Sequence, residues 1–193
     1  MDHRGTVGKT FKNIINRRFN TSIPHQKITT DTTEFKIYSI ANNGKLSIEK
    51  AYLNPFLDMF NGEILSFTLS KRPTFGPIND ALNKAIEVTN DCPYRRTFHS
   101  DQGWAYQMKQ YTNTLKNNKI FQSMSRKGTC LDNSPMENFF GIMKQEMYYG
   151  KIYRSFEELE KEVIDYIHYY NNDRVAHCYY FVYRFHIFLL SLN

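Results

Sequence analysis

Three acidic residues of the chain lie on three different predicted elements. Asp31 lies in a stretch rich in β-branched residues, Asp101 lies where a short strand-like segment runs into a glycine turn, and Glu137 lies on a predicted helix. Magnesium prefers oxygen ligands and keeps several bound waters, so carboxylates gathered from separate elements suit it. Two such ions about 4 Å apart can activate an attacking oxygen and stabilise a leaving oxygen in phosphoryl transfer. The three residues are therefore a candidate two-metal site, provided that the fold brings them together.

Each of these residues also has an ordinary structural explanation. Asp31 alone in a threonine-rich strand is typical of an exposed edge position, and Asp101 before Gln102-Gly103 is a common turn former. Glu137 fits a helix capping box that begins at Ser134. Lys144, seven residues after Glu137, is by itself an ordinary solvated lysine. Taken one at a time, the residues favour structural roles.

The elements that must position these residues alternate between strands and helices. Alternating β-branched residues predict strands after residue 27, with tight-turn signals at Asn42-Asn43-Gly44 and Asn61-Gly62. Helical spacing of apolar residues predicts four helices, over about 76–89, 105–117, 134–149 and from 155 onward. The order β-β-β-α-β-α-β-α-α predicts an α/β fold.

The helix predicted over 134–149 carries its apolar residues in one stripe. Four residues at helical spacing are expected to face the core: Met136, Phe140, Met143 and Met147. Glu137 and Lys144 lie two turns apart on an adjacent face. Both residues are therefore expected to lie off the core-facing stripe.

Composition narrows the class of protein and its partners. The chain of 193 residues has 41% hydrophobic and 23% charged residues, which is typical of a globular protein with one sizeable core. The net charge of +6 favours a polyanionic partner, with nucleic acid as the leading candidate. The three cysteines have neither disulfide-framework nor zinc-site spacing. No signal peptide begins the chain and no apolar run is long enough to span a membrane, so a cytoplasmic protein is expected.

Several short motifs agree in order and spacing with one family. HSDQG around Asp101 is followed by SMSRKG, then by DN, MEN and FF around Glu137, then by a lysine; 35 residues separate Asp101 from Glu137. With these motifs the chain resembles the second-frame transposases of bacterial insertion sequences, which contain an integrase catalytic core related to that of retroviral integrases. The resemblance covers about residues 20–174, from PHQKITTD to YYNNDR.

The resemblance implies a ribonuclease-H-like fold with a mixed five-stranded sheet flanked by helices. Asp31, Asp101 and Glu137 match the family's catalytic triad and would bind two Mg²⁺ or Mn²⁺ ions. Lys144 matches the basic position that contacts DNA near the reacting end. The implied activity is cleavage of DNA at the ends of an insertion sequence, followed by transfer of a 3′-hydroxyl to target DNA. The implied assembly is a homo-oligomer on DNA.

The two ends of the chain are expected to differ from its centre. Residues 1–26 are basic and predict either a solvated linker or an arm along a phosphate backbone, with Arg17 and Arg18 as candidate DNA contacts. Residues 27–174 are the predicted integrase catalytic core. Residues 175–193 depart from the family and resemble an out-of-frame or substituted ending, which we expect to be loosely packed or poorly ordered.

Three interpretations of function follow from these observations. The first is an active transposase in which Arg126 and Lys127, on the loop before Glu137, contact DNA phosphates together with Lys144. The alternative is a truncated, catalytically idle DNA-binding remnant of such a transposase, since most of the family's N-terminal helix-turn-helix region and its usual C-terminal ending do not appear in the sequence. The third is a stand-alone ribonuclease-H-like nuclease.

Overall fold

The computed structural model describes residues 8–40 and 44–175, which contain a mixed sheet and four α-helices. The strands are β1 (Lys27–Thr30), β2 (Thr33–Ile40), β3 (Leu46–Asp58), β4 (Ile64–Ser70), β5 (Thr97–Ser100) and β6 (Phe121–Met124). The helices are α1 (Phe75–Val88), α2 (Lys109–Asn117), α3 (Ser134–Met143) and α4 (Phe156–Tyr169). Short 3-10 segments precede α2 and α3, and π-helical turns follow α3 and α4.

The sheet has five positions across its width although it contains six strands. β1 and β2 pair with β3 in one continuous antiparallel register, from Ile28 opposite Asp58 to Ile40 opposite Leu46. They are therefore two halves of one strand, interrupted for two residues that begin with Asp31. β4 pairs with β3, and β5 and β6 continue the sheet in parallel from β1. The predicted mixed five-stranded sheet corresponds to these five positions.

Apolar side chains pack on both faces of the sheet. One core lies under α3 and α4, and its buried members include Phe35, Leu53, Met136, Phe139 and Val163. The other lies under α1 and α2, and its buried members include Ile28, Phe56, Leu82, Phe98 and Leu115. The sheet is thus the middle layer of three, which makes it a rigid base for residues that follow its strands.

The predicted helix over 105–117 is interrupted. A 3-10 turn at Trp104–Gln107 precedes α2, and Met108 between them is extended, with φ −64° and ψ 141°. The carbonyl of Tyr106 accepts a hydrogen bond from the Gln122 side chain at 2.6 Å and is therefore engaged by β6. This contact between distant segments has no signal in the local spacing of apolar residues.

The helix predicted over 134–149 is α-helical only as far as Met143 and continues as a π-helical turn, Lys144–Tyr148. Phe139 is fully buried, whereas Phe140, the predicted member of the apolar stripe, is only partly buried. Either phenylalanine satisfies helical spacing. An edge-to-face contact with Tyr170, at 4.9 Å between ring centroids, favours Phe139.

The last predicted helix is confirmed at its start and along its face. Ser155 is the N-cap of α4, and its hydroxyl accepts a hydrogen bond from the Glu158 N–H at 3.1 Å. Leu159 and Val163 are among its buried residues. In the described part of the chain, no helix is long and apolar enough to cross a membrane. The predictions for the tail fall on residues 176–193, which lie outside the described residues.

Candidate active site

One cleft collects all three predicted catalytic residues. Asp31 directly follows β1 and Asp101 directly follows β5, and because these strands are parallel neighbours, both residues emerge at the same edge of the sheet. Glu137 lies in the first turn of α3. The three residues line a cavity of about 730 Å³. The fold therefore brings together carboxylates that are far apart in the sequence.

Asp31 lies in the interruption between β1 and β2, and not within a strand as the β-branched pattern predicted. Its Oδ1 accepts a hydrogen bond from the N–H of Thr32 at 2.7 Å. Because the chain leaves the β-ladder at Asp31, the N–H of Thr32 binds the Asp31 carboxylate and not a neighbouring strand. The sequence alone suggested an uninterrupted strand because threonine is favourable on both sides of Asp31.

Gly103, two residues after Asp101, leaves room for the Asp101 carboxylate in the turn. The N–H of Gly103 donates to Asp101 Oδ1 at 2.8 Å. A Cβ atom at position 103 would lie 2.9 Å from that oxygen and 3.3 Å from the ring of Tyr106. The turn former predicted at Asp101 is thus also the residue that presents its carboxylate to the cleft.

The surroundings of both aspartates raise their pKa values. Burial, and next the charge of Asp101, raise the pKa of Asp31 to about 7, against the opposing hydrogen bond from Thr32 and with a smaller contribution from Glu137. Burial also raises the pKa of Asp101, opposed by the N–H of Gly103. Asp31 and Asp101 follow neighbouring parallel strands, so the charge of Asp101 acts on Asp31 from the adjacent position of the sheet.

Glu137 does not have the capping role that its sequence context allowed. The helix begins at Ser134 with Asn133 as its N-cap, and no side-chain hydrogen bond caps it. The capping-box interpretation is therefore wrong for this helix. Glu137 is exposed and lines the cleft.

The carboxylates have the donor chemistry of a metal site without a completed ligand set. Among the residues that the structure describes, no group of three or more His, Cys, Asp or Glu side chains is arranged so that it could hold a metal ion. Burial and the charge of Asp101 both raise the pKa of Asp31, and a positive charge at the cleft would oppose both effects. A hard dication would supply that charge, so the aspartate pair fits such an ion.

Two of the predicted DNA contacts, Arg17 and Arg126, bond to the buried carboxylate of Asp132. Its side chain is fully buried and accepts hydrogen bonds from the side chains of Asn13, Arg17 and Arg126 and from the Arg126 N–H. The Nε atoms of Arg17 and Arg126 each lie 2.8 Å from an Asp132 oxygen. These hydrogen bonds hold the pKa of Asp132 well below its usual range, and the side-chain bonds from Arg126 contribute most. Asp132 was not among the site residues predicted from the sequence.

The other predicted DNA contacts have different surroundings. Lys127 is exposed and lines the cleft. Arg18 is exposed, and its carbonyl accepts a hydrogen bond from Lys27. Lys144 is half-buried, with its Nζ 5.5 Å from the centroid of the Phe35 ring, and it is not among the residues that line the cleft. Burial lowers the pKa of Lys144, and the charge of Glu34 opposes that shift.

The basic N-terminal segment lies against the core from residue 8 onward. The backbone N–H groups of Ile14 and Ile15 donate to the hydroxyl of Ser123, at 2.9 and 3.3 Å. Ile15 is buried, and Thr10 lines the cleft beside the carboxylates. The described part of this segment therefore forms one wall of the cleft.

Most of the chain matches two families of known protein domains. An integrase core domain family matches residues 21–130, and a second integrase core domain family matches residues 137–186. The chain belongs to the integrase core domain family. The second match runs past Arg174, so the boundary placed there by the sequence analysis stays a prediction.

Two curated relatives are associated with transposition by name. An uncharacterized transposase-like protein of Haemophilus influenzae is 46% identical over 173 residues, covering 90% of this chain and 75% of that protein. The protein InsK assigned to insertion sequence element IS150 of Escherichia coli is 42% identical over 175 residues, covering 90% of this chain. The match spans only 58% of the length of InsK. The identification from sequence, an insertion-sequence transposase with an integrase core, is confirmed.

A solved structure shows the same fold at low sequence identity. The catalytic core domain of HTLV-2 integrase, in complex with magnesium and in a dimeric form, aligns with a TM-score of 0.56 and 16% identity, covering 78% of this chain and 89% of that one. The predicted ribonuclease-H-like integrase core is therefore confirmed as the fold.

Proposed function

We propose that this chain is the catalytic core of an insertion-sequence transposase that cuts DNA at element ends and joins the resulting 3′-hydroxyl to target DNA. The observation that carries the proposal is the cleft itself, in which Asp31, Asp101 and Glu137 converge from three separate elements of an integrase core. Membership of the family alone would leave open whether this chain retains the site.

The carboxylates are the residues that would hold a divalent cation. Asp31 and Asp101 follow two neighbouring parallel strands at one edge of the rigid sheet, and Glu137 would complete the set from α3. Magnesium in the related HTLV-2 core supports this assignment. When bound, two Mg²⁺ or Mn²⁺ ions would activate the attacking oxygen and stabilise the leaving oxygen.

The remaining chemistry depends on position and charge. In the cutting step the oxygen of water bonds to phosphorus and the bond from phosphorus to the 3′-oxygen breaks. In the joining step that 3′-oxygen attacks a target phosphorus and displaces the 3′-oxygen of the target strand. Lys127, exposed at the cleft, supplies positive charge toward the phosphate backbone. Holding both DNA segments in line at the carboxylates would account for much of the rate.

The partners follow from the same proposal. The chain would bind element ends and target DNA, to which its net charge of +6 is suited. Joining two ends to one target favours a homo-oligomer on DNA, and the HTLV-2 core was solved in a dimeric form. The cytoplasmic location expected from the sequence would give access to bacterial DNA.

A nicking and joining assay tests the proposal. Purified chain is incubated with Mg²⁺ or Mn²⁺ and a labelled duplex, beside the Asp101→Asn variant. We expect nicked strands and joined products from the wild type, and a loss of at least about 10²-fold in the variant, the usual cost of removing one preorganised charged group at a reacting centre. Products without joining would indicate a simple nuclease. DNA binding with equal, background cleavage by both proteins would indicate the idle remnant.

A further inference from the structure

Asn133 is the N-cap residue of α3, but its side chain does not cap the helix. Asparagine is favoured at N-caps because its side-chain oxygen can accept from a backbone N–H of the first turn. Here no side-chain cap bond forms, although Asn133 is buried, with 4% of its surface exposed. The side-chain amide of Asn133 therefore forms its hydrogen bonds outside α3.

The amide of Asn133 instead bonds to β1. Its Oδ1 accepts a hydrogen bond from the hydroxyl of Thr29, and its Nδ2 donates to the carbonyl of Thr30 at 3.3 Å. Thr29 and Thr30 are the two residues that directly precede Asp31. The bond between Thr29 and Asn133 is buried and joins residues 104 positions apart in the chain.

The same amide lies one helical turn before Glu137. Asn133 is the N-cap of α3 and Glu137 lies in the first turn of that helix. Both line the cleft with Asp31. Asn133 therefore bridges the end of β1, which presents Asp31, and the first turn of α3, which presents Glu137.

We propose that Asn133 is a positioning residue that fixes Glu137 relative to Asp31, so that the carboxylates can share metal ions. This inference rests on the proposed function. It assigns Thr29 as the partner of Asn133 in the same role. Groups that orient metal ligands without touching the metal commonly change metal affinity by about 10- to 100-fold when they are removed.

The test measures Mn²⁺ binding directly, by electron paramagnetic resonance titration of the whole chain. Asn133→Ser keeps a residue that caps helices as well as asparagine does, but its side chain is too short to bridge to β1. We expect a rise of about 10-fold or more in the Mn²⁺ Kd, with the helical circular dichroism signal retained. Asn113→Ser, the same change at an exposed position of α2, is the matched control and should leave the Kd at the wild-type value.

Thr29→Val tests the bridge from its other end, with little change in side-chain shape, and stays informative if Asn133→Ser folds poorly. We expect it to weaken Mn²⁺ binding as well. The double variant should be no weaker than the more affected single variant, because both changes break one bridge. A Kd within about twofold of wild type in both folded single variants, a change much smaller than removing such a group usually causes, would overturn the inference.

The outcomes also separate this inference from the proposed function. A wild type that binds Mn²⁺ in an Asn133-dependent manner but neither nicks nor joins DNA would support the positioning role and overturn the transposase activity. A wild type that nicks and joins DNA, with variants of unchanged Mn²⁺ affinity, would do the reverse. A wild type that binds no Mn²⁺ would overturn both.

Discussion

The fully buried carboxylate of Asp132 and the partly buried carboxylates of Asp31 and Asp101 lie close to the same cleft. Their pKa values are shifted in opposite directions. Asp132 is fully buried, yet the hydrogen bonds that it accepts, from Arg126 above all, hold its pKa well below the usual range. Asp31 and Asp101 are only partly buried, and each accepts one backbone hydrogen bond. Burial and the charge of Asp101 raise the pKa of Asp31 to about 7.

The difference shows that the partners of a carboxylate decide its role more than its depth does. Asp132 faces two arginines and the amide of Asn13, so it holds the N-terminal segment and the loop at Arg126 against the core. Among the described residues, neither Asp31 nor Asp101 forms an ion pair with a cationic side chain, and a dication would supply the missing positive charge. Perturbed carboxylates of this second kind are typical of functional sites.

Replacement of Asp132 should give the largest change in stability. Asp132→Asn removes the negative charge that pairs with Arg17 and Arg126. The amide nitrogen of asparagine cannot accept the hydrogen bonds that one of the carboxylate oxygens accepts. We expect the free energy of unfolding to fall by about 1–3 kcal/mol, measured by urea denaturation at pH 7. Asp31→Asn is the matched control and should not be destabilised. Equal losses in the two variants would mean that the two regions do not differ as described.

The pH dependence of stability should separate the regions further. The pKa of Asp31 is raised from 3.8 to about 7 in the folded chain, so its stabilising contribution is present below pH 3.8 and is lost as the pH rises through about 7. In EDTA, Asp31→Asn should match the wild type near pH 4 and exceed it by about 1 kcal/mol or more at pH 8. Thermal unfolding across this pH range measures the difference. A constant difference at all pH values would show that Asp31 does not titrate as inferred.

The loop before α3 offers a comparison between a paired and an unpaired cation. Lys127→Ala should lower the slope of log binding constant against log salt by about one, because an exposed lysine at the cleft releases about one counterion. Arg126→Ala should change this slope by less than half as much, since Asp132 already neutralises that arginine. Filter binding to one duplex at several salt concentrations measures both slopes. Equal slopes would indicate that DNA displaces Arg126 from Asp132.

Lys144 should show the smallest effect on stability. Its aliphatic stem is half-buried and its ammonium lies over the Phe35 ring. Lys144→Ala is expected to cost about 0.5 kcal/mol, and Lys144→Met, which keeps an apolar stem, less than that. Both variants remove the charge and should lower the salt slope of DNA binding by about one if Lys144 contacts phosphate, as the family resemblance implies. A slope unchanged in both would remove Lys144 from the DNA interface.

The sequence by itself determined the chemistry of the site and most of the elements around it. The identities of Asp31, Asp101 and Glu137, with 35 residues between the last two, predicted the cleft that the structure shows. The start and buried face of α4 were predicted because capping and helical periodicity are local properties. Alternation likewise predicted strands on both sides of Asp31, but it could not reveal the interruption between them.

The tertiary structure alone decided which polar side chains pair. Arg17 and Arg126 both pair with Asp132, and nothing near them in sequence shows that Asp132 is buried beside both. Their role as DNA contacts stays a prediction. Asn133 appeared in the sequence only as part of the DN motif, and the bond of its amide to Thr29, 104 positions away, comes from the fold. Such pairs depend on which elements become neighbours when the chain folds. A carboxylate is satisfied or left unsatisfied only at that stage, and this decides whether it holds the fold together or serves the site.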